Sequence, residues 1–365
     1  MKDSWQLAVD SWPKGSANRQ LSTANFIPAW FIRGPHLQTI WGRIARPRQL
    51  VRLRREVLVT PDDDDLVLDH LECGRPARAD RASRPIATPP GKTPGGSGRD
   101  GHTPVRFLLL HGLEGSSYSV YMQGLLAAIA KHGAAATVMN FRSCARDPQD
   151  LARMLPNRQR RLYHSGETSD FDFLVRTLRA REPHVTLLAA GASLGGNVLL
   201  KWLGEHPGQR DVAAAATMSV PYDLAAGTDH IAWLYVARFL RTLKTKALMR
   251  DELDHDAIRR ARTFRQFDDA ATGPLHGFRD AADYYAQSSS IRFLDKITTP
   301  TLCLSAADDP FLPSEVLPRA IAVASDAVEI RVTSRGGHTG FIAGAVPWRC
   351  AYWAEELMAQ WLLER

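Results

Sequence analysis

The stretch TLLAAGASLGGNVLLKWL, residues 186–203, runs one apolar segment into a glycine-rich turn and out into another. The first half is an unbroken apolar run that suits a buried strand. The second places Val198, Leu199 and Trp202 at helical spacing. At the junction, Gly191-Ala192-Ser193-Leu194-Gly195 has the form G-x-S-x-G, in which small flanking residues let the chain bend sharply and lift a serine hydroxyl clear of a sheet. Such a pentad is too short to mean much alone. The strand before it and the helix after it, with Gly195 and Gly196 allowing close packing, make Ser193 a candidate nucleophile.

The same alternation extends in both directions. VRFLLLHG (105–112), AAATVMNF (134–141), DVAAAATMSV (211–220), TLCLSA (301–306) and VEIRVT (328–333) read as strands. YMQGLLAAIAKHG (121–133) and FDFLVRTLRAREP (171–183) read as helices between them. Strands alternating with helices imply an α/β fold with a mostly parallel central sheet and helices on both faces.

Residues 222–296 break this rhythm with a mainly helical stretch, expected as an inserted cap. Its helix IAWLYVARFLRTLKTKALM (231–249) carries Trp233, Val236, Leu240, Leu243 and Ala247 on one face, with Arg238, Arg241, Lys244 and Lys246 elsewhere around it. That pattern is compatible with peripheral contact to an anionic membrane surface, although packing as a lid is the expected use. The domain organisation is therefore an N-terminal wrapping segment (1–53), a core in two parts (54–221 and 297–365) and the cap. Within the wrap, FIPAWFIRGPHLQTIW (26–41) is too rich in Pro, Gly and Trp to read as a simple helix. Residues 54–72 read as a hairpin whose tip, Asp62–Asp65, is expected to be a solvated turn. Residues 75–104 hold Ile86 as their one large aliphatic among repeated Pro, Gly and Arg, and are expected to be a disordered insertion. The C-terminal WRCAYWAEELMAQWLLER (348–365) reads as an amphipathic helix closing the domain.

Composition narrows the class without choosing a function. With 44% hydrophobic and 23% charged residues the chain is of ordinary globular type. A net charge of +7 suits an anionic partner, but the arginines are dispersed, and no basic-aromatic platform points to nucleic acid. Cys73, Cys144, Cys303 and Cys350 show no C-x-x-C spacing. Together with an N-terminus that lacks an apolar signal region and the absence of any apolar run long enough to span a bilayer, this suggests reduced thiols in a cytoplasmic protein. No zinc spacing, dinucleotide fingerprint or phosphate loop is present, so no metal or organic cofactor is expected. Oligomeric state is left open.

A serine hydroxyl needs a base to take its proton and a third group to orient that base. His338, in SRGGHTGF after the last core strand, completes the chain order Ser, Asp, His of one fold. Asp309, in LSAADDPFLP, is the favoured acid from its register with Pro310 and Pro313, and Asp308 is its close rival. The backbone N–H of Leu194 and that of Leu113, after the strand ending at His111-Gly112, are the candidate oxyanion donors. His111 precedes Ser193 and reads as a residue that shapes its loop.

FIPAWFIRGPHLQTIW, LLLHGLEGSS, NFRSCA, YHSGETSDF, GASLGGN, FDDAATGPLHGF with DYY, ADDPF and GGHTGF together resemble the YheT-like branch of the α/β-hydrolase superfamily, which is related to eukaryotic lipid esterases. These stretches span most of residues 22–342. The resemblance implies a Ser193, Asp309, His338 triad acting on acyl esters or lipids. Ser143 stands where the family has glycine, and Asn140, Arg142, His164 and Glu167 fall in recurring stretches as a loop-fixing polar network. The expected activity is that of a serine carboxylesterase forming an acyl-enzyme. Acyl transfer by the same triad is the nearest variant, and a non-catalytic lipid- or partner-binding protein is the rival.

Overall fold

Strands with no polar interruption cannot leave either face in water, so they must lie inside a sheet covered on both sides. A computed structural model describes residues 22–23, 26–47, 49–72 and 104–365 and shows that arrangement. Its strands are β1 (Ser22–Thr23), β2 (Arg54–Val59), β3 (Asp65–Leu71), β4 (Val105–Leu110), β5 (Ala135–Asn140), β6 (Thr186–Ala192), β7 (Val212–Met218), β8 (Thr301–Ala306) and β9 (Val328–Thr333). They form one sheet in the order β1-β9-β8-β7-β6-β4-β5-β3-β2. Neighbours from β1 to β5 pair in parallel, whereas β3 pairs antiparallel with both β5 and β2.

Successive side chains on β4 point to opposite faces. Leu108 and Leu110 join a core with Phe171, Leu174, Val198 and Trp202, from helices α3 (Ser169–Arg181) and α4 (Leu194–Glu205). Phe107 and Leu109 join the opposite core with Leu125, Leu126, Met358 and Trp361, from α2 (Val120–Lys131) and α12 (Trp353–Leu363). Both faces are thus sealed, and β6 enters the middle of the sheet carrying the serine turn at its C-terminal end.

Between β7 and β8 the chain forms α5 (Leu224–His230), α6 (Trp233–Ala247), α7 (His255–Arg260), α8 (Phe264–Phe267), α9 (Gly273–His276) and α10 (Ala281–Ser288), with a π-helical turn at Asp268–Thr272. Val236, Leu240, Leu253, Ile258, Phe264 and Phe267 pack together here as a separate apolar cluster. Helix α11 (Val316–Val323) follows β8. No helix among the described residues is long and apolar enough to cross a membrane. Residues 1–21 of the expected wrap, and the expected insertion 75–104 apart from Pro104, lie outside the described residues.

Three local readings are corrected. Within the aromatic N-terminal stretch a helix does form, α1 (Pro35–Ala45), because Pro35 occupies the first turn, where its missing N–H costs nothing. The C-terminal segment is not helical throughout: Arg349–Tyr352 is β11, paired antiparallel with β10 (Ile342–Val346), and the helix begins only at Trp353. The acidic hairpin tip is not simply solvated. Asp64 is fully buried, and the Arg142 guanidinium bonds Asp62 and Asp64 from one side and Asp170 from the other at 2.7–2.9 Å.

The elbow depends on missing side chains. A Cβ at Gly195 would lie 2.5 Å from the carbonyl oxygens of His111 and Leu110, and one at Gly191 would lie 2.6 Å from Gly195 O. These are backbone atoms that no rotamer change can move. Gly195→Ala should therefore lower stability by about 2 kcal/mol or more in urea unfolding. Gly42→Ala, within α1, is the control: a Cβ there would lie 3.6 Å from the Tyr352 and Val120 side chains, and the change should be neutral or stabilising by up to about 1 kcal/mol.

Candidate active site

Because the turn after β6 is so tight, Ser193 adopts φ 53° and ψ −123°, outside the regions that suit an L-residue. The strain is held in place by the bonds on either side, Ser193 N–H to Met218 O at 2.9 Å and Asn197 N–H to Ser193 O at 3.1 Å. The hydroxyl so presented lies 2.9 Å from His338 Nε2. His338 Nδ1 lies 2.9 Å from Asp309 Oδ2 and 3.1 Å from Oδ1. A buried carboxylate needs its remaining lone pairs satisfied, and Phe311 N–H supplies this by donating to Asp309 Oδ1 at 2.8 Å. The Phe311 ring also stacks on the imidazole, with centroids 4.1 Å apart and planes 18° apart.

The neighbouring carboxylate has a different task. Asp308 accepts the Gly337 N–H at 2.9 Å, and burial raises its pKa. It ties down the loop that carries His338, and Thr39 in α1 does the same by accepting the His338 N–H at 2.9 Å.

On the other side of Ser193 lies the turn after β4. A Cβ at Gly112 would stand 3.0 Å from Ser193 Cβ and 3.1 Å from Tyr121 Oη, a tight approach that glycine eases. The Gly112 N–H donates to Tyr121 Oη at 2.7 Å. The Leu113 N–H has no hydrogen-bond partner among the described residues. Neither has the Leu194 N–H, which as the first of α4 has no acceptor within the helix. His111 explains how the loop is held. Phe141 N–H donates to its Nε2 at 3.1 Å, so the ring proton sits on Nδ1 and is donated to Gly112 O at 2.8 Å. Gly112 C=O and Leu113 N–H belong to one planar peptide, so this bond also directs the Leu113 N–H. Burial holds the His111 pKa down to about 4.

Ser193, His338, Leu113 and Leu194 all face one cavity of about 740 Å³. Its apolar wall comes largely from the helices between β7 and β8, through Ile231, Phe239, Leu243, Phe264, Phe267 and Leu275. Arg238 and Arg241 of α6 also line it, and both are exposed.

Two polar clusters adjoin the site. His164, Glu167 and His276 bring ligand-type atoms within 4.8 Å of one another. Gly166 N–H donates to His164 Nδ1 at 3.1 Å, which leaves the ring proton on Nε2, the atom facing Glu167 Oε2 at 3.7 Å. Arg161 already pairs with Glu167 at 3.1 Å. Glu167 is thus already engaged by a cation of the chain, whereas His276 Nε2 is buried without a hydrogen-bond partner among the described residues. The second cluster, Glu114, Tyr163, Cys144 and Lys246, was not legible in the sequence: Lys246 reads as one of several outward cations of its helix, yet its side chain is 4% exposed.

Ser143, at the family's glycine position, has φ 58° and keeps that left-handed conformation through Oγ bonds to Asn157, 2.5 Å to Oδ1 and 3.1 Å from N–H. Asn140 binds Asp69 and Ser117. Cys144, Cys303 and Cys350 are free thiols.

The family described as alpha/beta hydrolase fold matches residues 105–345. The Escherichia coli K12 protein YheT, whose name gives it a provisional esterase assignment, is 34% identical over 95% of both chains. Phospholipase ABHD3 of Mus musculus is 29% identical over 88% of this chain and 74% of its own. Among solved structures, 2,6-dihydroxy-pseudo-oxynicotine hydrolase superposes with a TM-score of 0.51 at 15% identity, covering 90% of this chain and 71% of its own, a likeness of fold.

Burial also depresses the pKa of His276 to about 4 and of His164 to about 3. In the unfolded chain these histidines and His111 bind protons below about pH 6.5, whereas in the folded chain they resist until about 4 or lower. The unfolded state therefore takes up protons first. Stability should be constant on this account above pH 6.5 and fall toward pH 4, by up to about 1.4 kcal/mol per pH unit for each histidine. Urea midpoints measured across that range should show the fall, with a shallower slope in His111→Gln.

Proposed function

Because the chain belongs to the α/β-hydrolase fold family, in the branch that contains YheT, and is a carboxylic ester hydrolase, we propose that it cleaves acyl esters through Ser193, His338 and Asp309 by way of an acyl-enzyme. The observation that carries this reading is the continuous line of hydrogen-bond contacts from Ser193 Oγ through His338 to buried Asp309, facing a cavity with two free backbone N–H groups beside the serine.

Ser193 Oγ attacks the ester carbonyl carbon while its proton passes to His338 Nε2. Asp309 accepts the Nδ1–H and stabilises the imidazolium, and its acceptor-only charge keeps the ring in the tautomer that can take the proton. The carbonyl oxygen becomes negative and is met by the N–H groups of Leu113 and Leu194; a donor of this kind contributes about 3 kcal/mol to such a step. Collapse breaks the bond to the alcohol, which leaves with the proton from His338. Water then attacks the acyl-enzyme, gives its proton to His338, and the acid departs as Ser193 recovers its hydrogen.

The apolar wall suits an acyl chain, and Arg238 and Arg241 suit a substrate with an anionic or strongly polar head. The class of substrate is therefore a small acyl ester or a lipid. The name of the Mus musculus relative, a phospholipase, agrees with the second of these.

With p-nitrophenyl esters of increasing chain length, Ser193→Ala should lose at least about 10⁴-fold in kcat, and Asp309→Asn about 10³- to 10⁴-fold. Asp308→Asn should lose less than about 10-fold, since Asp308 holds the loop and does not touch the imidazole. The reverse ranking of the two aspartates would remove Asp309 from the reading. No ester turnover together with no labelling of Ser193 by a fluorophosphonate would end it, and ester products formed with an added alcohol would favour acyl transfer.

A further inference from the structure

Glu114 directly follows Leu113 and is a non-glycine residue at φ 55°. Such a conformation costs about 1–2 kcal/mol and persists only where neighbours over-determine it. The neighbours here are few and specific. The Glu114 N–H donates to Tyr163 Oη at 2.8 Å, and the Tyr163 hydroxyl donates back to Glu114 Oε1 at 2.8 Å. Lys246 Nζ donates to the same Oε1 at 2.5 Å and to Cys144 Sγ at 3.2 Å. Glu114 Oε2 is buried without a hydrogen-bond partner, and the two charged side chains are only 6% and 4% exposed. The cation that stands against this buried carboxylate is Lys246, and removing one partner of such a buried pair is costly.

Lys246 lies in the last turn of α6, in the helical segment that walls the substrate cavity, while Glu114 belongs to the turn after β4. Leu113 is therefore held from both sides: through Gly112 O by His111 and by the Gly115 N–H at 2.9 Å, and through Glu114 by Tyr163 and Lys246. Building on the mechanism proposed above, we propose that Lys246 is a positioning residue for the oxyanion hole, fixing the Leu113 N–H through Glu114 so that the hole is complete only when α6 is seated. Removing the ammonium leaves a buried, unpaired carboxylate. Glu114 then relaxes out of its left-handed conformation by swinging away, and the adjoining Leu113 peptide turns with it. Misplacing a transition-state contact by about 1 Å can cost as much as 10²-fold in rate.

An ion pair that merely staples the helix to the body would change substrate binding or melting temperature. A positioning role predicts something else. In Lys246→Met, kcat should fall about 10- to 100-fold with KM within about threefold of wild type. The rate of Ser193 labelling by a fluorophosphonate, whose phosphoryl oxygen uses the same donors, should fall in the same ratio. So should affinity for a trifluoromethyl ketone analogue of the best ester. Lys246→Arg, which keeps the charge, should recover most of the loss. Glu114→Gln tests the same link if Lys246→Met does not fold, and should show the same split between kcat and KM. The double variant should be no worse than the weaker single variant, because both break one connection. A raised KM with unchanged kcat, or a lower melting temperature with an unchanged labelling rate, would overturn the proposal. Absence of Ser193 labelling in the wild-type protein would be a failure of the serine mechanism itself, and is thereby distinguished from failure of the Lys246 link.

Discussion

The close approach of backbone to backbone at the end of β6 is the constraint on which the rest of the site rests. The chain must reverse from strand to helix within two residues, and it passes so near the Leu110 and His111 carbonyls at Gly195, and folds so closely on its own Gly195–Gly196 backbone at Gly191, that neither glycine has room for a side chain. The residue between must take a left-handed φ, and that same strain turns the Ser193 hydroxyl away from the sheet. Conformational strain of this kind is tolerated because the sheet is sealed on both faces, so the elbow cannot relax by shifting its strand.

Around the elbow, backbone geometry is secured mostly by side chains drawn from distant parts of the chain. Asp308 holds the loop of His338, Thr39 holds its main chain, His111 fixes the peptide of Leu113, and Asn157 supports Ser143 in another left-handed turn. Arg142 gathers three carboxylates from the β2–β3 turn and the start of α3. Arg142, Asp64 and Asp170 are buried while Asp62 remains part-exposed, and leaving any of the three buried charges unpaired would be costly. These polar residues thus serve as fasteners for loops.

The helices between β7 and β8 serve the site twice. Their apolar side chains wall the cavity, and through Lys246 one of them reaches a turn at the far side of the serine. A helix read as amphipathic from its pattern can therefore bury a cation at one position while exposing Arg238 and Arg241 at others. The distinction lies in whether an acceptor waits beneath: Glu114 for Lys246, and solvent for the arginines.

What the sequence determined by itself was local. The order of strands and helices follows from hydrophobic period, and the turn at Ser193 follows from the spacing of its glycines, because both are short-range effects of sterics and burial. His338 could be singled out by chain order and Asp309 only preferred by register, since adjacent carboxylates differ in nothing a linear pattern records. Only the tertiary structure separates the pair in space, with Asp309 against the imidazole and Asp308 accepting the Gly337 N–H. It also turned Asp64 inward, cut β11 from an apparently continuous helix, and joined Glu114 to Lys246 across 132 residues of chain. Pairings of buried charge depend on which groups lose water together, and that is set by packing between distant segments, not by the residues on either side.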